Sequence, residues 1–175
     1  INPVEVKQVP IIFGEPDVLK TIQLLPGVTA GSEGSAGFHV RGGGLDQNLI
    51  LLDEAPVYNA SHLMGFFSVF NSDAVKNAKI YKGTAPAQFG GRLSSVLDIQ
   101  MKDGNSKQFS ASGGIGLISS RLTLEAPIIK DKASLIISGR RTYADLFLVF
   151  AKKEEQRNST LFFYDLNAKI NYKIN

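Results

Sequence analysis

Between residues 162 and 175 one side of the chain is apolar and the other polar, with a single break in parity. Phe162, Tyr164, Leu166, Ala168, Ile170, Tyr172 and Ile174 hold the even positions; Asp165, Asn167, Lys169, Asn171, Lys173 and Asn175 hold odd ones, with Phe163 the exception. A period of two belongs to a β-strand, whose side chains point alternately to opposite faces. Strands of soluble sheets usually run about five or six residues. An alternation of 14 residues is long enough to cross a bilayer as a tilted strand, which needs about 9–11. Phe162 and Tyr164 at one end and Tyr172 at the other fall where the aromatic girdles of a lipid-facing strand are expected. A long antiparallel sheet that packs its apolar face on a soluble core accounts for the same pattern, so both readings stand here.

The preceding residues repeat the theme. Phe109, Ala111, Gly113, Ile115 and Leu117 are apolar or small at odd positions, with mostly Ser and Gly between them. Leu122, Leu124, Ala126 and Ile128 interleave with Arg121, Thr123 and Glu125, and Pro127 falls near the strand end. Lys130-Asp131-Lys132 reads as a compact turn, after which Ala133, Leu135, Ile137 and Gly139 alternate with Ser134, Ile136, Ser138 and Arg140. A longer connection, 143–158, leads to the last strand. No run reaches 18 apolar residues, which excludes a transmembrane helix but not membrane strands.

Residues 1–104 read differently. Val4, Val6 and Val9 and the run Pro10–Gly14 read as a short strand or an extended lead-in; Asp17 then opens a helix marked by Leu19, Ile22 and Leu25. Pro26-Gly27 stops it, since Pro disfavours helix before it and Gly permits the reversal. After a flexible Gly31–Gly37 stretch, Phe38 and Val40 alternate with His39 and Arg41 in a short strand ending at Gly42-Gly43-Gly44. Asn48–Asp53 is a continuous apolar run of the kind a two-sided buried strand needs. Ala55–Tyr58 is expected to leave that sheet, and 62–70 to form a loop with a helical turn. Asn71-Ser72-Asp73 caps a turn, Val75–Tyr81 and Ser94–Met101 are strands, Pro86–Gly91 is a turn between them, and Lys102–Asn105 ends the domain. The expected organisation is therefore α+β: a small mixed α/β domain, 1–104, followed by antiparallel amphipathic strands, 105–175.

Charge follows the same division. Residues 1–104 hold 8 Lys/Arg against 10 Asp/Glu, a net of −2, and residues 105–175 hold 11 against 6, a net of +5. The basic residues are dispersed among alternating apolar ones instead of forming a stripe, so no nucleic-acid partner is expected. With no Cys, neither disulfides, a thiolate metal site nor a cysteine nucleophile is available. Two His, 23 residues apart (His39 and His62), make a poor zinc site. Gly42–Gly44 and Gly90-Gly91 lack the spacing of a phosphate loop and read as turns. Asp53 and Glu54, if on a strand, point to opposite faces and cannot act as an acid–base pair. Ser61-His62 has no third partner for nucleophilic chemistry, and His62 reads as a loop residue. No catalytic residue, metal or cofactor is expected. Arg41 and Arg92 stand at Gly-flanked corners, where a guanidinium can form bidentate pairs with carboxylates of an enclosing wall or can stay a solvated turn arginine.

Five segments, in order, carry a family resemblance: LLPGV (Leu24–Val28), FHVRGGG (Phe38–Gly44), NLILLDEAPVYN (Asn48–Asn59), AVKNAKIYKGTAPAQFGG (Ala74–Gly91) and SSVLDIQMK (Ser94–Lys102). Together, over residues 14–103, they resemble the plug domain of TonB-dependent outer-membrane transporters. On that resemblance the plug motif comprises Pro26, Gly27, Gly42, Asp53, Pro56, Gly83, Pro86, Gly90 and Gly91. Glu54 stands where the family usually has Gly, and Phe89 where it usually has Tyr. The tail SGRRTYADLF (Ser138–Phe147) is similar to members from the Bacteroidetes lineage. The resemblance implies a non-enzymatic transporter in the outer membrane, with the plug in the lumen of a barrel whose first strands are 105–175. It implies energy-coupled uptake of a large nutrient such as a siderophore or glycan. The implied partners are a periplasmic TonB-type protein contacting a segment upstream of Ile1, outer-membrane lipid, and a surface lipoprotein as a candidate. Four strands cannot close a barrel, and the chain starts without Met, so it is read as a piece of a longer protein. The competing reading is a soluble periplasmic binding or adhesion module with an α+β core and a β-meander.

Overall fold

The computed structural model describes residues 15–32, 36–143 and 162–174. The extended lead-in before Glu15, part of the Gly31–Gly37 stretch and most of the connection after Tyr143 lie outside the described residues. The chain divides into two compact units, one built on Pro16–Lys102 and the other on Glu15 together with residues from Asp103 onward. No helix among the described residues is long and apolar enough to cross a membrane.

The first unit starts with helix α1, Val18–Gln23. Asp17 is its N-cap: Oδ1 accepts the amides of Leu19 and Lys20 at 2.8 and 3.2 Å, filling orphan donors of the first turn. The other oxygen, Oδ2, accepts Ser68 N at 2.8 Å, so one buried carboxylate starts the helix and pins a remote strand. Strands β1 (Val28–Ala30) and β2 (Phe38–Val40) form an antiparallel pair. Strands β3 (Asn48–Leu52), β4 (Ala55–Pro56), β7 (Val75–Lys82) and β8 (Ser95–Met101) make a mixed sheet in the order β4-β3-β8-β7, with β3 parallel to β8. Between them β5 (Ser61–His62) pairs with β6 (Phe67–Ser68) around a 3₁₀ turn at Leu63–Gly65. Val18, Leu19 and Ile22 of α1 join Phe38, Val40, Leu97 and Ile99 in one core. A buried polar tie crosses it: Asn48 donates to Phe38 O at 2.7 Å and accepts from Ser95 Oγ at 2.7 Å.

Three expectations need correcting here. Ala55-Pro56 does not leave the sheet but turns back on β3, with Leu52 opposite Ala55. Asp53 and Glu54 are the two residues of that hairpin, both at positive φ, 46° and 70°, as a two-residue turn matched to strand twist requires. They are therefore not strand residues, and β3 ends at Leu52, not Asp53. His62 sits in a short strand, not a loop, because Ser61-His62 finds partners in Phe67-Ser68.

The second unit is a four-stranded antiparallel meander: β9 (Ser110–Ile115), β10 (Ser119–Ile129), β11 (Ala133–Thr142) and β12 (Tyr164–Tyr172), in the order β12-β11-β10-β9. Asp131, at φ 62°, closes the β10–β11 turn. Pro127, which lacks a donor, lies inside β10 where the register shifts before Ile129. The last strand is shorter than the alternation, since Phe162 and Phe163 precede it. An antiparallel meander following a mixed α/β unit is the α+β architecture expected.

Candidate functional site

The chemistry of the second unit lies in which face is covered. On β12 every even residue, including Tyr164, Leu166, Ile170 and Tyr172, is exposed, and every odd polar residue is half-buried. Leu166 is 73% exposed and Ile170 68%. β11 shows the same inversion: Ser134, Ser138, Arg140 and Thr142 are buried with Ile136, while Ile137 is exposed. A soluble sheet would bury its apolar face; this one turns it outward. A contiguous exposed apolar face of this kind marks a surface built for a nonaqueous neighbour, and outward apolar with inward polar is the pattern of a membrane barrel wall.

The covered face holds an ionic cluster that the amino-acid sequence did not reveal. Arg140 on β11 lies opposite Asp165 on β12, and its Nε and Nη2 both donate to Asp165 Oδ2, at 3.0 and 2.5 Å. Nη1 donates to Glu15 Oε1 at 2.8 Å. The guanidinium carbon also stacks 5.3 Å from the centre of the Phe163 ring. That contact accounts for the break in alternation: Phe163 precedes β12 and covers the arginine, while its amide donates to Thr142 Oγ1 at 3.0 Å. Thr123 and Ser138 hydrogen bond beside this cluster at 3.0 Å. The available signal was the pair Arg140-Arg141, which places a cation on each face of one strand; its partners depend on register.

In the first unit the structure gathers one group of motif residues. Arg41 N donates to Gly27 O at 3.1 Å, and Lys82 Nζ to Pro26 O at 2.7 Å. Arg41 and Gly42 form a tight turn at φ 49° and 81°, closed by Gly43 N on Val40 O at 2.9 Å. Gly83, at φ 118°, holds a backbone conformation that residues with a Cβ rarely adopt, and a Cβ there would lie 3.0 Å from Arg41 Nη1. Pro26, Gly27, Arg41, Gly42 and Gly83 therefore meet at one corner. Asp53 and Pro56 belong to the β3–β4 hairpin, where Asp53 Oδ1 accepts Met101 N at 3.0 Å. Pro86 opens a turn closed by Phe89 N at 3.0 Å, with Phe89 packed 5.6 Å from Tyr81. Gly90 and Gly91 follow that turn, Gly91 at φ 85°, and Arg92 is exposed beyond them. A hollow of about 590 Å³ adjoins both turns, lined by Glu54, Pro56, Phe89, Gly90 and Asp98 among others. Among the described residues no group of His, Asp and Glu is placed to hold a metal.

Residues 13–96 match the family model of the TonB-dependent Receptor Plug Domain. No curated protein matches the chain. Among solved structures the fold is similar to the siderophore receptor PirA of Acinetobacter baumannii, with TM-score 0.67 and 19% identity, over 100% of this chain and 29% of that one. It is also similar to a ferric enterobactin receptor of Pseudomonas aeruginosa, solved in complex with enterobactin, with TM-score 0.64 and 18% identity, over 100% of this chain and 30% of that one. The chain thus spans less than a third of the length of these receptors. Together these findings give residues 13–96 the match to the plug-domain model and the whole chain a fold similar to part of those receptors, a small mixed α/β domain followed by antiparallel strands.

Proposed function

We propose that residues 1–104 are the plug and 105–175 the first barrel strands of a TonB-dependent outer-membrane transporter. The observation that carries this reading is the inversion on β12, where the apolar side chains are exposed and the polar ones half-buried. The soluble-module alternative requires that face to be packed, and it is not favoured. In the whole receptor the plug closes the barrel lumen and gates uptake of a large nutrient. Glycans belong to the same size class, but the receptors of similar fold favour a siderophore, one of them being solved with enterobactin. Energy arrives from a periplasmic TonB-type protein through a segment N-terminal to the plug. A surface lipoprotein is a further proposed partner, and the SGRRTYADLF segment supports a Bacteroidetes-type member. Transport of this kind needs no enzymatic residue.

Arg41 and Arg92, both exposed, are proposed to pair with carboxylates of barrel strands beyond this chain. Of the remaining motif residues, Pro26, Gly27, Gly42 and Gly83 set the Arg41 corner and Pro86, Gly90 and Gly91 the turn before Arg92, while Asp53 and Pro56 shape the β3–β4 hairpin. The test uses the full-length receptor. It is expected to insert into lipid vesicles, to unfold reversibly from them, and to take up a ferric siderophore only in cells that supply the energy-coupling partner. Full-length protein that folds in water and stays there overturns the proposal.

A further inference from the structure

We infer that the exposed face of the β9–β12 sheet holds one anionic membrane lipid, with an acyl chain in a trough over Gly139 and its phosphate on Arg141. This rests on the barrel-wall reading above and adds a specific site to it. The register sets Gly113, Leu122, Gly139 and Leu166 side by side across four strands. Two positions without side chains alternate with two leucines, so Leu122 and Leu166 stand as ridges and Gly139 is the floor between them. The result is an open cavity of about 810 Å³ with almost wholly apolar walls. A methylene chain fits such a floor, since it brings no polar group needing a partner.

The charge at one end of the trough identifies the rest of the occupant. The adjoining row of the register aligns Ile115, Ser120, Arg141 and Tyr164. Arg141 is exposed on this same apolar face, and its guanidinium lies 5.5 Å from the centre of the Phe162 ring. A permanent cation on a lipid-facing surface is costly at the bilayer midplane and tolerated near the interface, where rings such as Phe162 and Tyr164 also gather. At that depth the group facing it is a lipid phosphate, which a planar guanidinium binds with two parallel hydrogen bonds. Arg140 points to the opposite face, where carboxylates engage it, and Arg121 pairs with it across the sheet on that same face, so Arg141 is the cation on the face of the trough. A lipid with net negative charge satisfies both features; a zwitterionic one supplies a chain but a weaker electrostatic partner.

Two substitutions separate chain from headgroup. Gly139→Leu fills the floor, and the backbone accepts it: a Cβ there meets only Leu166 Cδ1, at 3.9 Å. Gly113 is unsuitable, because its Cβ would meet Arg121 O at 2.5 Å. Arg141→Gln keeps an exposed polar side chain and removes the charge. Full-length wild type and both variants are exchanged into micelles containing equal amounts of phosphatidylglycerol and phosphatidylcholine, and retained lipid is read by native mass spectrometry. Wild type is expected to keep one phosphatidylglycerol in preference to phosphatidylcholine. Arg141→Gln is expected to reduce that preference about fivefold, the effect of one basic residue near a charged surface. Gly139→Leu is expected to reduce total retention of both lipids. Equal retention by all three proteins, or no preference in wild type, overturns the inference. Bilayer insertion is measured in parallel: if all three insert yet bind lipid alike, only the lipid site fails. Wild type that does not insert overturns the barrel reading and this site with it.

Discussion

Arg140 on β11 and Asp165 on β12 face each other across one rung of the sheet, with two guanidinium nitrogens on a single carboxylate oxygen. The arginine side chain is 2% exposed, and its third nitrogen reaches Glu15, itself 5% exposed. Removing one partner of a buried ionic group leaves the others charged and without compensation, which costs about 3–5 kcal/mol. Arg140→Leu is therefore expected to destabilise the full-length protein by that amount in vesicle unfolding titrations. The double change Arg140→Leu with Asp165→Leu should recover part of the loss. If the single change is silent, the cluster makes no net contribution.

The inverted face sharpens a test that periodicity alone could not make. Because Leu166 is exposed, Arg at that position costs little if the face meets water, but about 2–4 kcal/mol if it meets hydrocarbon near mid-bilayer. Asn167 points the other way, and Arg there should cost well under about 1 kcal/mol. Reversible unfolding of both variants from vesicles measures the difference. Equal, small effects at the two positions would sink the membrane assignment of β12.

Glu54 holds a left-handed conformation, φ 70°, in the β3–β4 hairpin and is exposed. For a residue with a Cβ that conformation costs about 1–2 kcal/mol, and Gly relieves it at some cost in chain entropy. Glu54→Gly should raise the midpoint of denaturant unfolding by the equivalent of about 0.5–1 kcal/mol. Asp53→Ala should lower it by about 1–2 kcal/mol, because Met101 N loses its acceptor while Ala still needs the positive φ.

Asp17 serves two elements at once, capping α1 and accepting Ser68 N. Losing a cap costs about 0.5–2 kcal/mol, and stranding a buried amide adds about 1–3 kcal/mol. Asp17→Ala is expected to fall in the upper part of that combined range. Asp17→Asn, which keeps one acceptor oxygen, should cost clearly less. Thermal unfolding followed by circular dichroism distinguishes them, and equal losses from both variants would show that the second oxygen dominates.

Much of this architecture is written in local chemistry. The helix opening at Asp17, the two apolar strands of the mixed sheet and the turn at Lys130–Lys132 each depend on a few neighbouring residues, and the structure has them where periodicity and turn chemistry put them to within a residue; the helix ends earlier than expected, at Gln23 with Leu24 as its C-cap, before Leu25 and Pro26-Gly27. The hairpin at Asp53-Glu54 escaped because Glu is a poor marker of positive φ, and the conformation is imposed by the pairing of Leu52 with Ala55. The same limit applies to function. Parity along β12 separates an apolar from a polar face, but alternation is symmetric and does not tell which face is covered. That is decided by what the strands pack on, a property of contacts between residues distant in the chain. Arg140 illustrates it most plainly: Asp165 is 25 residues away and Glu15 is 125, and only the register of β11 on β12, with the return of the chain near residue 15, brings three charges to one buried point.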